Sequence, residues 1–363
     1  MSKRRREKRS VIRTAAPLGV AIAVSGAVGA WAGPASAAPK AGGVTQLTET
    51  GSTLLYPLFQ RWAPVYQKLF GVTITPQGTG SGTGISQAEE GTVDIGASDA
   101  YLPPTAPSDM ENIALAISAQ QINYNVPGAG NHLKLSGPVL ADIYTGKITK
   151  WNAPEIQALN PGRKLPNLPI YPLHRADGSG DTFLFTSYLT DSAKGIWTAG
   201  YGTTVSWPAV ANAYAATGNG GMVTSCAKIK GCVAYIGVSY EDQAASHGLG
   251  EAMIENASGR FLLPNPQTIA AEATSFVPKT PPSETISLIY GKNPNGYPII
   301  NYEYAIVKKN QPNAKVAAAI KAFLTWAVSP TGGNQPRFLN AVHFQPLPPS
   351  VRALSLAQIN KIS

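Results

Sequence analysis

Three short segments of this chain hold residues suited to gripping an anion. Thr50-Gly51-Ser52-Thr53 and Gly78-Thr79-Gly80-Ser81-Gly82-Thr83-Gly84 combine glycine with hydroxyl side chains, and His174-Arg175-Ala176-Asp177-Gly178-Ser179-Gly180-Asp181-Thr182 adds an arginine and two carboxylates. Bare backbone and Ser/Thr hydroxyls at the start of a helix aim N–H and O–H dipoles at one spot, which is how a protein cradles a tetrahedral oxyanion. Taken singly, each segment has an ordinary reading. A Gly-rich stretch is commonly a turn, an arginine is commonly half of a surface ion pair, and His174 reads as packing. Their combination argues for a binding site.

Catalysis finds less support. The chain has no G-x-S-x-G elbow, no Walker G-x-x-x-x-G-K-[ST] and no H-E-x-x-H, and its four histidines (His132, His174, His247, His343) are scattered. None lies at metal-ligand spacing from a cysteine, and neither Ser81 nor Ser179 has a histidine placed to act as its base. The expectation is a binding protein without metal or cofactor. A secreted phosphoesterase is the alternative from another class, and a receptor for sulfate or molybdate is the nearer rival.

These segments need elements to position them. A strand at 44–47 leads toward the first, and residues 54–70, with Leu55, Leu58, Phe59, Trp62, Val65, Tyr66 and Leu69 at helical spacing, predict an amphipathic helix just after it. A strand at 72–75, the Gly-rich loop, a helix through 85–88, a strand at 93–99 and an apolar strand at 113–117 follow. Helices at 139–144 and 152–159 precede a strand at 170–175 that delivers Arg175 to the third segment, and a helix starts at Thr182. A strand at 233–238, an extended crossover at 297–307 and a helix at 314–328 complete the reading. Strands alternating with helices predict an α/β sheet, and the glycine segments fall where strand hands over to helix, the edge at which open sheets bind ligands. The last helix completes the first unit. The expected organisation is therefore a discontinuous lobe I (44–124 plus 302–363), a lobe II (125–301) and two chain crossings that can hinge.

The N-terminus sets the compartment. A basic run from Lys3 to Arg9, an uncharged apolar stretch over 15–31 and Ala35-Ser36-Ala37 read as a secretory signal peptide, residues 1–37. No cysteine follows the apolar stretch, so no lipid anchor is expected. Of 29 basic and 20 acidic residues, the leader holds 7 and 1, leaving 22 and 19, a net of +3 instead of +9. The basic excess belongs largely to the leader, and no nucleic-acid partner follows from it. Cys226 and Cys232 would meet an oxidising compartment, where a disulfide closing their short loop would add about 2 kcal/mol.

Together these residues resemble the PstS family, the phosphate-binding proteins of the high-affinity phosphate ABC importer. The resemblance runs through Gly51-Ser52-Thr53, Gly78-Thr79-Gly80-Ser81, Gly96-Ala97-Ser98-Asp99-Ala100, Asp142-Ile143-Tyr144-Thr145-Gly146-Lys147-Ile148-Thr149-Lys150-Trp151, Arg175-Ala176-Asp177-Gly178-Ser179-Gly180 and Pro346-Leu347-Pro348-Pro349, almost the whole mature chain. It implies a two-lobed periplasmic-binding-protein fold of the type II, Venus-flytrap kind, with orthophosphate buried in the cleft, a membrane permease and a cytoplasmic ATPase as partners, and a monomeric receptor. It also implies roles. Thr53, the N–H of Leu54 and Ser81 donate from one lobe; Arg175 pairs with a phosphate oxygen from the other, held by Asp177, while Ser179 and Gly180 donate from a helix start. Asp99 accepts the ligand's own proton.

That last role also follows from chemistry. A carboxylate beside a bound anion repels it unless the anion carries hydrogen, and near neutral pH phosphate does so whereas sulfate does not. Asp99 is thus expected to reject sulfate. Many family members have Thr directly after the position of Gly180; here Asp181 intervenes and Thr182 follows. Two readings of Asp181 stand: a second acidic acceptor favouring the monoanion and mildly acidic pH, or a cap for a helix beginning at Thr182. Whether Thr182 touches the ligand stays open.

Overall fold

The computed structural model describes residues 43–363; the expected leader lies outside the described residues. The chain opens with β1 (Gln46–Gly51), α1 (Tyr56–Phe70), β2 (Thr73–Thr75), α2 (Ser81–Glu90) and β3 (Ile95–Ser98), with the strands parallel in the order β2-β1-β3. Helix α1 forms where its apolar spacing demands. Leu58, Phe59, Trp62 and Tyr66 are buried, and Gly71 ends the helix in the left-handed region at φ 73°. Leu69, expected on that face, is instead 58% exposed, in the last turn of the helix just before Gly71 ends it.

Two boundaries move toward the site. Strand β1 begins at Gln46 and runs on to Gly51, two residues before Thr53, where the sequence placed a strand at 44–47. Helix α2 starts at Ser81, inside the stretch read as a loop. Its glycines permit packing: a Cβ at Gly84 would stand 2.6 Å from the Ala97 carbonyl oxygen and 2.8 Å from the Cα of Gly51. Only bare backbone lets α2 lie this close to β1 and β3.

Strand β4 (Met110–Tyr124) is buried throughout its 15 residues, about 50 Å of extended chain. The sequence showed only its centre, since Gln120, Gln121 and Asn123 look like loop residues. Next come β5 (Lys134–Leu135), α3 (Gly137–Tyr144), α4 (Pro154–Leu159), β6 (Tyr171–Arg175), α5 (Gly180–Ser192), β7 (Tyr214–Ala216), α6 (Gly218–Lys228) and β8 (Cys232–Gly237). After α7 (Glu241–Ser246), β9 (Gly250–Glu251) pairs with the end of β4, while β10 (Met253–Glu255) and β11 (Phe261–Leu262) join β5 in a small sheet. Helix α8 (Pro266–Ala273) precedes β12 (Ile300–Lys308), and α9 (Ala314–Ala327), α10 (Pro336–Leu339) and α11 (Pro349–Asn360) close the chain.

The main sheet runs β2-β1-β3-β12-β4-β8-β6-β7. Along β4 the partner changes: Met110–Ala119 pair with β12 and Gln120–Tyr124 with β8, antiparallel in both cases. Two strands, β4 and β12, therefore tie the parallel set β1–β3 to the parallel set β6–β8. Helix α9 returns to α1, where Phe323 and Trp326 pack edge-on against Trp62 and the Trp62 indole donates to the Gly333 carbonyl at 2.9 Å. Cys226 and Cys232 form a disulfide linking α6 to β8.

Burial raises the carboxyls of Glu284 and Glu251 to about 8 and that of Glu272 to about 7. Groups held above their unfolded values bind protons more tightly in the folded state. Their contribution is full below the ordinary carboxylate range, about pH 4, and is lost as pH rises through 7 to 8. The ligand-free protein should accordingly melt at progressively lower temperature from pH 5 to pH 8, which a thermal-shift series checks.

Candidate anion site

The ends of β1, β3 and β6 and the starts of α2, α5 and α6 meet at one place, and the side chains there are buried. Thr53, Ser81, Asp99, Arg175, Ser179, Asp181 and Asn219 are each at most 7% exposed. Such burial requires partners for every polar group, and tracing them shows which donors are spent.

Arg175 sits at the end of β6 with its backbone N–H on the Tyr235 hydroxyl at 2.9 Å. Its guanidinium grips Asp177 through Nε (2.7 Å) and Nη2, and Nη1 reaches Asp181 at 2.9 Å. Three of five N–H donors are thereby committed and two remain. Burial would raise the half-buried Asp177 carboxyl, but the Arg175 guanidinium, with the Gly218 N–H, holds it below the usual carboxylate range. The same two acids keep Arg175 charged against its burial.

Asp181 belongs to the first turn of α5 and does not cap it. The helix begins at Gly180, and Ser179 is the cap, its hydroxyl accepting the Thr182 N–H at 3.4 Å. Asp181 is fully buried, receiving Asn219 Nδ2 (2.7 Å) and Gln120 Nε2 (3.2 Å) besides Arg175. Burial raises its carboxyl even so. The Thr182 hydroxyl lies 2.8 Å from the Tyr235 hydroxyl, on the supporting side of Arg175.

Across from these groups, Asp99 directly follows β3. Ser52 Oγ donates to its Oδ1, and Ser81 Oγ donates to its Oδ2 at 3.3 Å. Burial, reinforced by the charge of Asp181, pushes its carboxyl up to about 7. The Thr53 hydroxyl accepts the Asn219 N–H (3.2 Å) and Nδ2 (3.0 Å), so its own proton is left to donate. The N–H groups of Thr53, Leu54, Ser81 and Gly180 donate to no acceptor among the described residues; Ser81 and Gly180 are first-turn positions, where the helix supplies none.

Glycines allow the two sides to touch. A Cβ on Gly180 would overlap the Asp99 carboxylate, and one on Gly80, at φ 97°, would stand 2.5 Å from the Gly178 carbonyl oxygen. The Gly82 N–H donates to that same carbonyl at 2.9 Å. All ten residues expected at the site therefore fall in one cluster. His174 does not join it and stacks on Trp207 at 4.8 Å.

Four members were missed from sequence. Ser52 lay inside a quoted motif but had no role assigned; Asn219, Gln120 and Glu303 come from α6, β4 and β12, far along the chain. For Asn219 a signal existed, in the glycines of Gly218-Asn219-Gly220-Gly221 at a helix start. Gln120 and Glu303 gave none, because one polar residue in a buried strand is visible only once its neighbours are known.

A family model described as a PBP superfamily domain matches residues 36–331. The phosphate-binding protein PstS of Xylella fastidiosa strain 9a5c is 31% identical over 313 residues, covering 84% of this chain and 82% of the relative. That of Methanocaldococcus jannaschii is 34% identical over 86% of this chain and 85% of its own. Among solved structures, a high-affinity periplasmic phosphate-binding protein (PfluDING) bound with phosphate superposes with a TM-score of 0.68 at 21% identity, covering 86% and 93%. A phosphate-binding protein from Stenotrophomonas maltophilia does so with 0.65 at 22%, covering 86% and 94%.

Proposed function

Because the chain belongs to the PBP superfamily and, within it, to the PstS family of phosphate-binding proteins, we propose that it captures inorganic phosphate and delivers it to the permease and ATPase of an ABC importer. One observation carries this reading: unspent donors on both sides of a buried cleft converge opposite a carboxylate, an arrangement matched to an anion that still carries a proton.

In this reading the Thr53 and Ser179 hydroxyls and the N–H groups of Leu54, Ser81 and Gly180 bind phosphate oxygens, and the two unspent N–H groups of Arg175 form a fork on another. Ser81 bridges Asp99 to the helix start. Asp99 accepts the phosphate O–H, Asp177 fixes the guanidinium, and Thr182 steadies Arg175 through Tyr235. Asn219 ties Thr53 to Asp181 when the cleft is shut. Gly180 packs bare against Asp99, and in this reading two lobes, 44–124 with 302–363 and 125–301, part to load the ligand. The change of partner along β4 between Ala119 and Gln120 supports a hinge there.

The protein works outside the cytoplasm, as its leader-like N-terminus indicates. Among the described residues no helix is long and apolar enough to cross a membrane. Binding is favoured over catalysis because the site hydroxyls face carboxylate, amide and N–H groups, with no imidazole to activate them.

Asp181 gives this site its own pH response. Two buried carboxyls, Asp99 and Asp181, face one ligand, and an acceptor for a second proton favours the monoanion of phosphate. Titration calorimetry of the mature protein, freed of carried-over phosphate by reversible unfolding, should show 1:1 phosphate binding, no sulfate binding at pH 8, and tighter phosphate binding at pH 5.5 than at pH 8. Binding of neither anion reopens the phosphoesterase reading, which a phosphomonoester assay then tests. Affinity that stays flat or strengthens from pH 5 to 8 removes Asp181 as second acceptor.

A further inference from the structure

Glu303 lies on β12 where the chain's function has so far asked nothing of it. It is fully buried, and the register of β12 against β4 shifts between Glu303 and Tyr304 while Tyr304 stays opposite Ser98 of β3. The extra residue at this irregularity is Leu115 of β4. The Glu303 carboxyl lies beside Asp99: Asn301 Nδ2 reaches both Glu303 Oε1 at 3.0 Å and the Asp99 carbonyl oxygen at 3.2 Å, and the two carboxyls are close enough to share a hydrogen bond once one of them carries a proton.

Proton accounting fixes the roles. Glu303 Oε1 accepts from Asn301 Nδ2 at 3.0 Å and lies 2.5 Å from Ser118 Oγ, whose single proton it shares with Asn301 Oδ1 at 2.7 Å. Its Oε2 is buried and meets no N–H or O–H donor. Were Glu303 ionised, Oε2 would be a bare anionic oxygen in a dry site facing a second carboxylate. A proton on Oε2 removes both faults, since O–H then donates to Asp99. Asp99 can accept it: its two oxygens offer about four lone-pair sites, of which the hydroxyls of Ser52 and Ser81 use two. With Glu303 as third donor, one site is left for the ligand O–H.

We propose that Glu303 is a specificity-positioning residue of the anion site, a neutral carboxylic acid whose O–H donates to Asp99 and keeps that carboxylate an acceptor toward a protonated oxyanion. This deepens the phosphate-receptor reading and rests on it. The ionisable groups facing the pair are Asp181 of α5 and, beyond it, Arg175 of β6, with Tyr304 alongside on β12. Burial and the Asp99 charge hold the Glu303 carboxyl well above its ordinary range, and the hydrogen bond lowers Asp99 in turn. Without that donor Asp99 takes up a proton more readily. A protonated Asp99 donates, and so admits sulfate.

The experiment follows sulfate binding against pH by calorimetry in wild type, Glu303→Leu and Glu303→Gln, each first checked for phosphate binding. The pH below which sulfate is accepted should rise by about one unit in Glu303→Leu, a tenfold gain in sulfate affinity at fixed pH. Glu303→Gln, whose amide keeps an N–H toward Asp99, should restore the wild-type curve. An infrared difference spectrum, wild type minus Glu303→Gln at pH 8, should show one protonated carboxyl band, and it needs only the Gln variant to fold. Coincident sulfate curves, or no such band, overturn the role of Glu303. A wild type that fails to bind phosphate overturns the receptor reading instead.

Discussion

Arg175→Met should weaken phosphate binding by about 10³-fold, the largest loss of any single substitution in the site. Arg175 is the one cation among the site's buried groups, and it faces three carboxyls, Asp177, Asp181 and Asp99. Even with Arg175 present the cluster is net negative when those acids are ionised, so an arriving phosphate is held by N–H dipoles and by two guanidinium N–H groups. Removing the guanidinium takes away that fork and leaves Asp177 and Asp181 without their cation. Breaking a buried pair by removing one partner costs about 3–5 kcal/mol, and the anion would then enter a site with no positive charge. Arg175→Lys keeps a charge but not the fork that spans Asp177, Asp181 and the ligand, so it should recover only part of the loss. Calorimetry beside a thermal-shift assay separates binding from folding. A folded Arg175→Met that binds within tenfold of wild type would show that the β6 side of the cleft does not touch the ligand.

This prediction was available from the sequence in outline only. Arg175 and Asp177 stand two residues apart at the head of a glycine-rich turn, so the segment announced itself. Asp181 was ambiguous because a first-turn carboxylate and a cap look alike until the helix start is known; Ser179 caps α5 and moves that start two residues earlier than Thr182. The same physics hid the length of β4. A strand buried on both faces loses the alternation that marks strands, and Gln120 within it reads as polar punctuation although its Nε2 reaches the Asp181 backbone carbonyl at 2.8 Å. Residues near each other in sequence were legible as a site. Those brought in by the sheet order, Gln120 and Glu303, were not, because their role depends on which strand lies next to which.

Asp99→Asn should collapse discrimination against sulfate by about thirtyfold at pH 8.5 and by more at higher pH, chiefly by creating sulfate affinity and much less by losing phosphate. A site whose buried acceptor must be met by a ligand O–H can reject the analogue lacking it by about 10⁴ to 10⁵. Sulfate brings no hydrogen, so an ionised Asp99 would face its oxygen charge to charge at the close range that Gly180 enforces. An asparagine amide there offers N–H to either anion, and the penalty on sulfate disappears. The same reasoning assigns a pH dependence to the wild type. With the Asp99 carboxyl pushed up to about 7 by burial, protonation below that pH turns an acceptor into a donor. Sulfate affinity should therefore rise about tenfold per pH unit as pH falls toward about 7, one proton being taken up per sulfate bound, and level off below it. Phosphate need not follow this slope, because its own protons can substitute for the carboxyl's. Competition titrations at pH 5.5, 7 and 8.5 with both proteins test the two halves together: the Asp99→Asn sulfate curve should be flat where the wild-type curve slopes. A wild type that excludes sulfate equally at all three values would place the selectivity in some group other than Asp99.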